Sequence, residues 1–224
     1  MESSFNIAID GPAGAGKSTV ARLLAKELGF LYIDTGAMYR AVTLKALREG
    51  VDLTDGDRLA GLAGMTSIDF QPLPDGSLRI FLDGEDVTEE IRTPDVTRNV
   101  SLVARIPGVR KHLVELQRKM ASGGGVVMEG RDIGTVVLPD ARVKIFLTAS
   151  VQERARRRAL ELAARGEAVD QHRMEEEISK RDLVDVSRET DPLVPAGDAD
   201  IIDCSFLPAE QVVKLIAARV PAGR

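Results

Sequence analysis

The sequence predicts an α/β fold, in which helices cover both faces of a parallel sheet that carries a small antiparallel β insert. Apolar runs typical of buried strands alternate with segments whose apolar residues recur at helical spacing, from "FNIAI" at 5–9 to "ADIID" at 199–203. Residues 67–87 depart from that pattern, because apolar and polar residues alternate there around the turn "PLPDG". These two observations determine the predicted fold class.

The first elements are two strand–helix pairs. "FNIAI" predicts a buried strand, and the apolar spacing from Val20 to Leu28 predicts a helix with Gly29 as its C-cap. "FLYI" predicts a second strand that ends at Asp34 and Thr35. "AMYRAVTLKALREG" then predicts a helix that stops at Gly50.

The β insert comes next. Apolar residues occupy alternating positions in "SIDF" and "LRIFL", on either side of the turn, which predicts an antiparallel hairpin. The following "DGEDV" favours a third strand. Two helical stretches, broken near Pro107, lead from the insert to "SGGG".

The second half returns to the alternating pattern. "VVM" predicts a strand that runs into "EGRDIG", and "VKIFLTA" predicts another. Ser150 and Glu153 have the spacing of a capping box, which would open the basic helix "VQERARRRALELAARG". A further helix, "RMEEEISKRDLVDVSRE", precedes the strand "ADIID", and Pro208 marks the start of the last helix.

Composition narrows the class of protein. A net charge of −5 disfavours a large cationic face for polymeric nucleic acid. The single Cys204 excludes an intramolecular disulfide and offers no zinc cluster. "MESSFNIAID" lacks the basic segment of a signal peptide, and no apolar run approaches the ~20 residues of a membrane span. We therefore expect a cytoplasmic protein with no membrane partner.

The segment "GPAGAGKST" carries the first chemistry. Residues 11–18 fit G-x-x-x-x-G-K-[ST] between a predicted strand and a predicted helix, the context that a phosphate-binding loop requires. Its glycines let backbone N–H groups converge on a phosphate, Lys17 supplies a cation, and Ser18 supplies a hydroxyl for Mg²⁺. A turn that binds nothing is the disfavoured alternative. The predicted ATP-binding residues are Gly11, Pro12, Ala13, Gly14, Ala15, Gly16, Lys17, Ser18 and Thr19.

This loop alone does not decide the reaction, because GTPases, motor-type ATPases and small kinases all contain one. The sequence has no N-K-x-D string for reading guanine, and the "VVM" strand ends in Glu129 rather than Asp. Arginines instead recur where loops leave strands, which favours a clamp around transferring phosphates. They are Arg40, Arg110, Arg131, Arg154, Arg156, Arg157 and Arg158.

Five segments together resemble the bacterial cytidylate kinases, a branch of the nucleoside monophosphate kinase family. They are "GPAGAGKST", "DTGAMYR", "GRDIGTVVLPDA", "RDLVDVSRE" and "PLVPAGDA", in this order over nearly the whole chain. The resemblance implies one domain over 1–224 with a parallel five-stranded core. It assigns 1–65 and 93–224 to the core and acceptor-binding region, 66–92 to the small β insert, and about 153–185 to a helical lid.

The resemblance also implies the activity, transfer of the γ-phosphoryl group of MgATP to CMP or dCMP by a monomer, with Mg²⁺ as the metal. The implied catalytic residues are Lys17, Arg131, Arg154, Arg157 and Arg158. The implied acceptor phosphate ligands are Arg40, Arg131 and Arg188, with Tyr39 nearby. The implied cytosine contacts are Ser101, Arg110 and Asp132. Arg181 and Asp185 are assigned to the ribose, and Thr35 keeps the hydroxyl of the serine that is common at its position.

Several of these residues have a plainer interpretation. Tyr39 fits a core aromatic equally well, and Ser101 fits an ordinary helix residue. The spacing of Arg181, Asp185 and Arg188 by itself favours a solvated stripe of ion pairs. Asp132 could pair with Arg131 within the "GRD" turn.

Other functions also stay open. The basic helix that follows Ser150 could be a surface for nucleic acid, and His112 and His172 receive no role. The alternative functions are a kinase with another acceptor, such as UMP, and a P-loop switch or nucleic-acid-binding ATPase.

Overall fold

The computed structural model describes residues 5–164, 166 and 170–221. The strands are β1 (Asn6–Asp10), β2 (Leu31–Asp34), β3 (Ile68–Pro72), β4 (Leu78–Leu82), β5 (Glu85–Asp86), β6 (Val126–Gly130), β7 (Val143–Thr148) and β8 (Asp200–Asp203). The helices are α1 (Lys17–Leu28), α2 (Thr35–Arg48), α3 (Gly56–Gly64), α4 (Pro94–Ala104), α5 (Pro107–Ala121), α6 (Val151–Ala163), α7 (Gln171–Val186) and α8 (Ala209–Ala217). Short helical turns cover Glu90–Arg92 and Ile133–Val137.

Five strands form the central parallel sheet in the order β2-β6-β1-β7-β8. Successive residues of β1 enter different apolar clusters: Ile7 and Ile9 pack in one, and Ala8 packs in the other. A parallel strand buried on both faces explains the uninterrupted apolar run in the sequence. The predicted fold class is confirmed.

The carboxyl ends of the strands define one edge of the sheet. Asp10 pairs with Gly130 in the β1–β6 register, and Asp34 lies beside Glu129 in the β2–β6 register. Three carboxylates, those of Asp10, Asp34 and Glu129, therefore sit at the same edge, directly before the loops that bind ligands in open α/β sheets.

The second sheet is antiparallel with the order β3-β4-β5, as the alternating pattern predicts. It lies within 66–92, the segment that the sequence assigns to the insert. Ile68, Ile80 and Leu82 are buried on its inner face. Ion pairs to α2, from Lys45 to Asp83 at 2.7 Å among them, are surface contacts that contribute at most about 1 kcal/mol each.

Two local features differ from the sequence pattern. Helix α3 was not predicted, because three glycines in "GDRLAGLAG" hide its helical spacing. One side of α3 lies so close to α5 that a Cβ at Gly108 would be 2.4 Å from the Cβ of Ala60.

The capping box at α6 is half formed. The hydroxyl of Ser150 accepts the N–H of Glu153 at 3.2 Å. The Glu153 carboxylate instead accepts from Arg156 and Arg157, and the Ser150 N–H donates to the hydroxyl of Ser205.

Helices α6 and α7 pack against each other and cover most of the segment assigned to the lid. Residues 165 and 167–169 of that segment lie outside the described residues, as do 1–4 and 222–224 of the predicted domain. Among the described helices, none combines the length and the apolar character needed to cross a bilayer.

Candidate active site

The phosphate-binding loop connects β1 to α1 and has the backbone that its glycines predict. Gly14 has φ +76, and a Cβ there would lie 3.1 Å from the Cβ of Arg154. Gly11 is more constrained, because its Cβ would lie 2.0 Å from the carbonyl oxygen of Leu147. Helix α1 begins at Lys17, so its positive end faces the loop.

Lys17 is nearly enclosed, with 5% of its surface exposed, and its Nζ donates to the carbonyl of Pro12 at 2.9 Å. Burial, followed by the nearby charge of Arg131, lowers its pKa to about 7. Glu129 and Asp10 act in the opposite direction. A buried ammonium beside other cations is poorly compensated until an anion arrives.

Asp10 holds the end of the "GRDIG" segment. Its carboxylate accepts the N–H groups of Ile133 at 2.8 Å and Gly134 at 2.7 Å. Burial raises its pKa to about 6, although the two backbone N–H groups oppose this shift.

Glu129 and Asp34 lie near Ser18, at the mouth of the loop. Burial, then the charge of Asp34, raises the pKa of Glu129, and Lys17 and Ser18 lower it. The hydroxyl of Tyr32 donates to Glu129 at 3.0 Å. Hydroxyl and carboxylate oxygens are the ligands that Mg²⁺ prefers, so this donor set fits a magnesium ion that arrives with phosphate. In the described part of the chain, no three His, Cys, Asp or Glu side chains form a metal cluster by themselves.

Arg131 and Arg181 act on Lys17 and lower its pKa. Burial, then Arg131 and Arg40, lowers the pKa of Arg181 to about 10, and the charge of Arg158 also contributes. The Nε of Arg181 is buried without a hydrogen-bond partner among the described residues. Cations that lower each other's pKa are held together at a cost, which a bound polyanion would offset. The arrangement suits phosphates.

Two of these arginines have protein partners. Arg131 donates through Nε to Asp185 at 2.8 Å, and Arg40 donates to the hydroxyl of Thr97 at 2.9 Å. Asp185 is 7% exposed, whereas Arg181 and Arg188 are half-buried and Arg188 lies beyond the end of α7. The middle member of the predicted stripe is therefore buried rather than solvated.

A second polar cluster lies on the side of α5. The guanidinium of Arg110 is 2% exposed and contacts the carboxylate of Asp132, and it also donates through Nε to Asp191 at 2.8 Å. It lies over the ring of Tyr39, 5.7 Å from the centroid. Burial raises the pKa of Asp132, whereas Arg110 and Arg188 lower it. Asp132 therefore pairs with Arg110 and not with Arg131.

The arginines at the start of α6 fall into two groups. Arg154 and Arg157 point to the underside of the phosphate-binding loop, where they donate to the carbonyls of Ala13 at 3.1 Å and Ala15 at 3.4 Å. Arg154 also pairs with Asp182 at 2.6 Å. Arg156 and Arg158 pair with glutamates of the same helix. Each of these four arginines therefore has a partner within the protein.

A cleft of about 890 Å³ opens from the loop towards the β insert. Its walls include Ser18 and Asp34 on the core side and Arg79 and Arg92 on the insert side. The cleft therefore reaches Ser18 of the phosphate-binding loop.

The comparisons with known proteins agree with this geometry. The family model described as cytidylate kinase matches residues 7–222. A cytidylate kinase of Pelotomaculum thermopropionicum is 71% identical over 224 residues, covering 100% of this chain and 99% of the relative. One from Desulforamulus reducens is 57% identical and covers 97% of each chain.

The chain belongs to the cytidylate kinase family.

The cytidylate kinase fold extends to more distant solved structures. A gluconokinase of Sinorhizobium meliloti superposes with a TM-score of 0.51 at 16% identity, covering 98% of this chain and 93% of the other. An uncharacterized protein of Eubacterium ventriosum gives 0.52 at 16% identity, covering 96% and 98%. At this identity the likeness concerns the fold alone.

The sequence-predicted residues of this cytidylate kinase family member occupy two neighbouring regions. Lys17 and Arg131 lie at the phosphate edge, where Asp185 binds Arg131. The charges of Arg40, Arg158 and Arg181 act on one another and on this pair, as the lowered pKa values of Lys17, Arg40 and Arg181 indicate. Tyr39, Arg110, Asp132 and Arg188 form the second region.

Three predicted residues are less directly placed. Ser101 is a half-buried residue of α4, one turn beyond the Thr97 that binds Arg40. The hydroxyl of Thr35 donates to the carbonyl of Glu129 at 2.7 Å, so its remaining capacity is as an acceptor. Tyr39 is 8% exposed, which fits the core-aromatic interpretation as well as a place beside the acceptor.

Sequence reasoning assigned no site role to Asp10, Asp34, Tyr32 or Asp191. For the first two a signal was available, because each is the last residue of a parallel strand. Asp191 has no such signal, because its partner Arg110 lies 81 residues earlier in the chain.

Proposed function

We propose that this chain transfers the γ-phosphoryl group of MgATP to the phosphate of CMP or dCMP, forming ADP and CDP or dCDP. The observation that carries the proposal is that Lys17, at the phosphate-binding loop, and Arg131, which follows the neighbouring strand β6 and is held by Asp185 at 2.8 Å, lie at one edge of the sheet. The lowered pKa values of Lys17 and Arg181 agree with a concentration of positive charge there. The triphosphate of ATP and the phosphate of the acceptor, brought together, need this concentration of positive charge, whereas a single nucleotide held for hydrolysis does not.

The chemistry needs no strong general base. An oxygen of the acceptor phosphate, already anionic, attacks the γ-phosphorus, and the bond to the oxygen bridging the β- and γ-phosphorus atoms breaks as ADP leaves. Lys17 stabilises the transferring group, and Arg40, Arg131 and Arg188 hold the acceptor phosphate. Positioning and charge neutralisation supply most of the rate enhancement.

Ser18, with Asp34 and Glu129 beside it, would hold the magnesium ion that accompanies ATP. That ion neutralises charge on the β- and γ-phosphates when bound. Tyr32, through its hydrogen bond to Glu129, orients this carboxylate.

The acceptor base is read by Arg110 and Asp132. Cytosine presents an amino donor where uracil presents a carbonyl acceptor. An ionised Asp132 accepts from that amino group and repels the carbonyl, and Arg110 donates to the neighbouring ring nitrogen and carbonyl. Asp185 and Arg181, at i and i−4 of α7, are assigned to the ribose hydroxyls.

Helices α6 and α7 form the lid that closes over ATP. Arg158 lies on α6 and therefore moves with the lid. Its charge lowers the pKa values of Arg40 and Arg181. Among the described residues, its side chain pairs only with Glu161. Closure after both substrates bind would exclude water and suppress hydrolysis. We place the protein in the cytoplasm as a monomer with small-molecule substrates.

An acceptor panel tests this function. ADP formation is measured at saturating MgATP with CMP, dCMP, UMP, AMP or GMP, and without acceptor. We expect rapid ADP formation with CMP and dCMP, at one ADP per acceptor consumed. ADP formation that ignores the acceptor would indicate a P-loop ATPase, and a preference for UMP would indicate the kinase with another acceptor.

A further inference from the structure

Asp191, in the loop between α7 and β8, holds two arginines of the acceptor region at once. Its carboxylate accepts from Nε of Arg110 at 2.8 Å, and its backbone carbonyl accepts from Nη2 of Arg188 at 2.7 Å. The side chain is 26% exposed, and Arg110 is 2% exposed. The contact therefore joins a partly accessible carboxylate to a buried guanidinium.

The backbone at Asp191 fixes the direction of this contact. Its φ of 51° lies in the left-handed region, which Asp and Asn tolerate better than most other residues. Two residues later the N–H of Leu193 donates to the carbonyl of Asp185 at 2.9 Å, so the loop is tied back to α7. The main chain of the loop therefore fixes the position of Asp191, and its carboxylate does not move as freely as that of an ordinary surface residue.

The second carboxylate changes how Arg110 meets Asp132. A guanidinium bound to one carboxylate commonly uses Nε and one Nη together, and occupies both oxygens. Here Nε is engaged by Asp191, Nη1 donates to the carbonyl of Ala104 at 3.2 Å, and Nη2 alone contacts Oδ2 of Asp132. Within the described residues, Oδ1 of Asp132 accepts no hydrogen bond.

We infer that Asp191 is a specificity-determining positioning residue, which prevents a two-point Arg110–Asp132 pair and thereby keeps one Asp132 oxygen open for the amino group of the acceptor base. The inference rests on the proposed function and deepens it. Without Asp191, Arg110 turns its fork onto Asp132, and cytosine must compete with a buried arginine for the carboxylate. At the same time, the open Asp132 oxygen no longer repels the carbonyl of uracil. Binding of CMP therefore weakens while binding of UMP improves, and both changes lower the preference for CMP.

Asp191→Gly is the direct test, because glycine adopts the left-handed backbone and keeps the main-chain carbonyl that binds Arg188, but removes the acceptor of the Arg110 Nε–H. We expect kcat/KM for CMP to fall on the order of tenfold through KM, the size of one mispaired buried hydrogen bond. The kcat/KM ratio of CMP to UMP falls by several-fold, about fivefold or more, while KM for ATP stays within about twofold. Asp191→Asn, whose amide oxygen can still accept from Nε, should retain most of this ratio. Asp198→Gly is the matched control, since Asp198 lies in the same loop and pairs at 2.8 Å with Lys144.

A double substitution separates positioning from a structural role. If Asp191 acts through Asp132, then Asp132→Asn/Asp191→Gly has the same CMP-to-UMP ratio as Asp132→Asn alone. Should Asp191→Gly fold poorly in a denaturation experiment, Asp191→Ala also removes the side-chain acceptor, and the same ratios are expected. An equal loss for both acceptors, an unchanged ratio in Asp191→Gly, or additive effects in the double variant would overturn the inference alone. Failure of the unsubstituted protein to phosphorylate CMP would overturn it together with the proposed function.

Discussion

Arg131 and Asp185 form an ion pair of 2.8 Å that joins the end of β6 to α7, across 54 residues of sequence. The pair lies between the phosphate edge and the lid helices. Burial by itself would raise the pKa of Asp185. The charge and the hydrogen bond of Arg131 act in the opposite direction, and the pKa of Asp185 lies below its ordinary value. The ion pair therefore links α7 to Arg131, the arginine that we assign to the transferring phosphates.

Asp185→Asn tests this coupling. Removing one partner of a buried pair leaves Arg131 beside Lys17 and Arg181 without its counterion, so the free energy of unfolding falls by about 3 kcal/mol. A saturating non-hydrolysable ATP analogue restores part of the loss, because its phosphates replace the missing negative charge. Chemical denaturation with and without the analogue measures both effects.

The control for this variant is Glu177→Gln on the exposed side of α7, where the carboxylate pairs with Arg173 at 3.3 Å. It is expected to change stability by less than about 1 kcal/mol. An Asp185→Asn protein as stable as the unsubstituted protein would show that the ion pair does not hold α7.

The second prediction concerns proton uptake at Lys17. Its pKa of about 7 in the free protein rises when phosphate binds, so the neutral amine takes up a proton at pH values above 7. Binding of the ATP analogue at pH 8 should be accompanied by uptake of nearly one proton by this group, and its affinity should fall as pH rises. Calorimetry in buffers of different ionisation enthalpy measures the uptake.

Lys17→Met should remove that uptake and lower kcat/KM by roughly a hundredfold or more, as expected for a lost transition-state contact. Lys26→Met, on the exposed face of the same helix, is the matched control. Undiminished proton uptake in Lys17→Met would assign the proton to another group.

The third prediction separates the arginines of α6. Arg158→Met is expected to lower kcat by about tenfold or more with little change in KM for CMP, because this side chain acts on the closed, ATP-loaded state. Arg156→Met should leave kcat nearly unchanged, since its side chain is 55% exposed and pairs with Glu153. Steady-state kinetics of the two variants decides. Equal losses in both would mean that general charge, and not position on the helix, matters.

The central strands and the phosphate-binding loop could be predicted because their signals are local. An apolar run, a glycine pattern and a helical spacing each fall within about twenty residues of sequence. Helix α3 was missed because its glycines obscure the helical pattern, and its close contact with α5, where Gly108 meets Ala60, is not recorded in any local pattern.

The site residues were harder, because their partners are distant in sequence. The spacing of Arg181 and Asp185 correctly predicted that they share one face of a helix, but it favoured a solvated stripe. The burial of Asp185 against Arg131 and the neighbouring elements depends on the tertiary structure, which spacing does not record. The Arg110–Asp132 pair connects α5 to the turn after β6, and Asp191 joins it from a third element. Sequence resemblance supplied the first two residues, and only the fold supplied the third.

The fourth prediction concerns the acceptor base. In Asp132→Asn the amide can turn its NH₂ towards the uracil carbonyl, so the kcat/KM ratio of CMP to UMP should fall, even if both activities decrease. The expected change is on the order of tenfold, the value of one mispaired buried group. Kinetics with both acceptors at fixed MgATP measures the ratio. A uniform loss would leave Asp132 with a structural role only.

Direct transfer of the γ-phosphoryl group to the acceptor is the central claim, and isotope tracing tests it most directly. The protein is incubated with CMP and ATP labelled in the γ-phosphoryl group, and the products are separated and analysed over time. We predict that the label appears in the β-phosphate of CDP in step with ADP formation, with little label in free phosphate. Label that accumulates in free phosphate while CMP stays unchanged would contradict the claim.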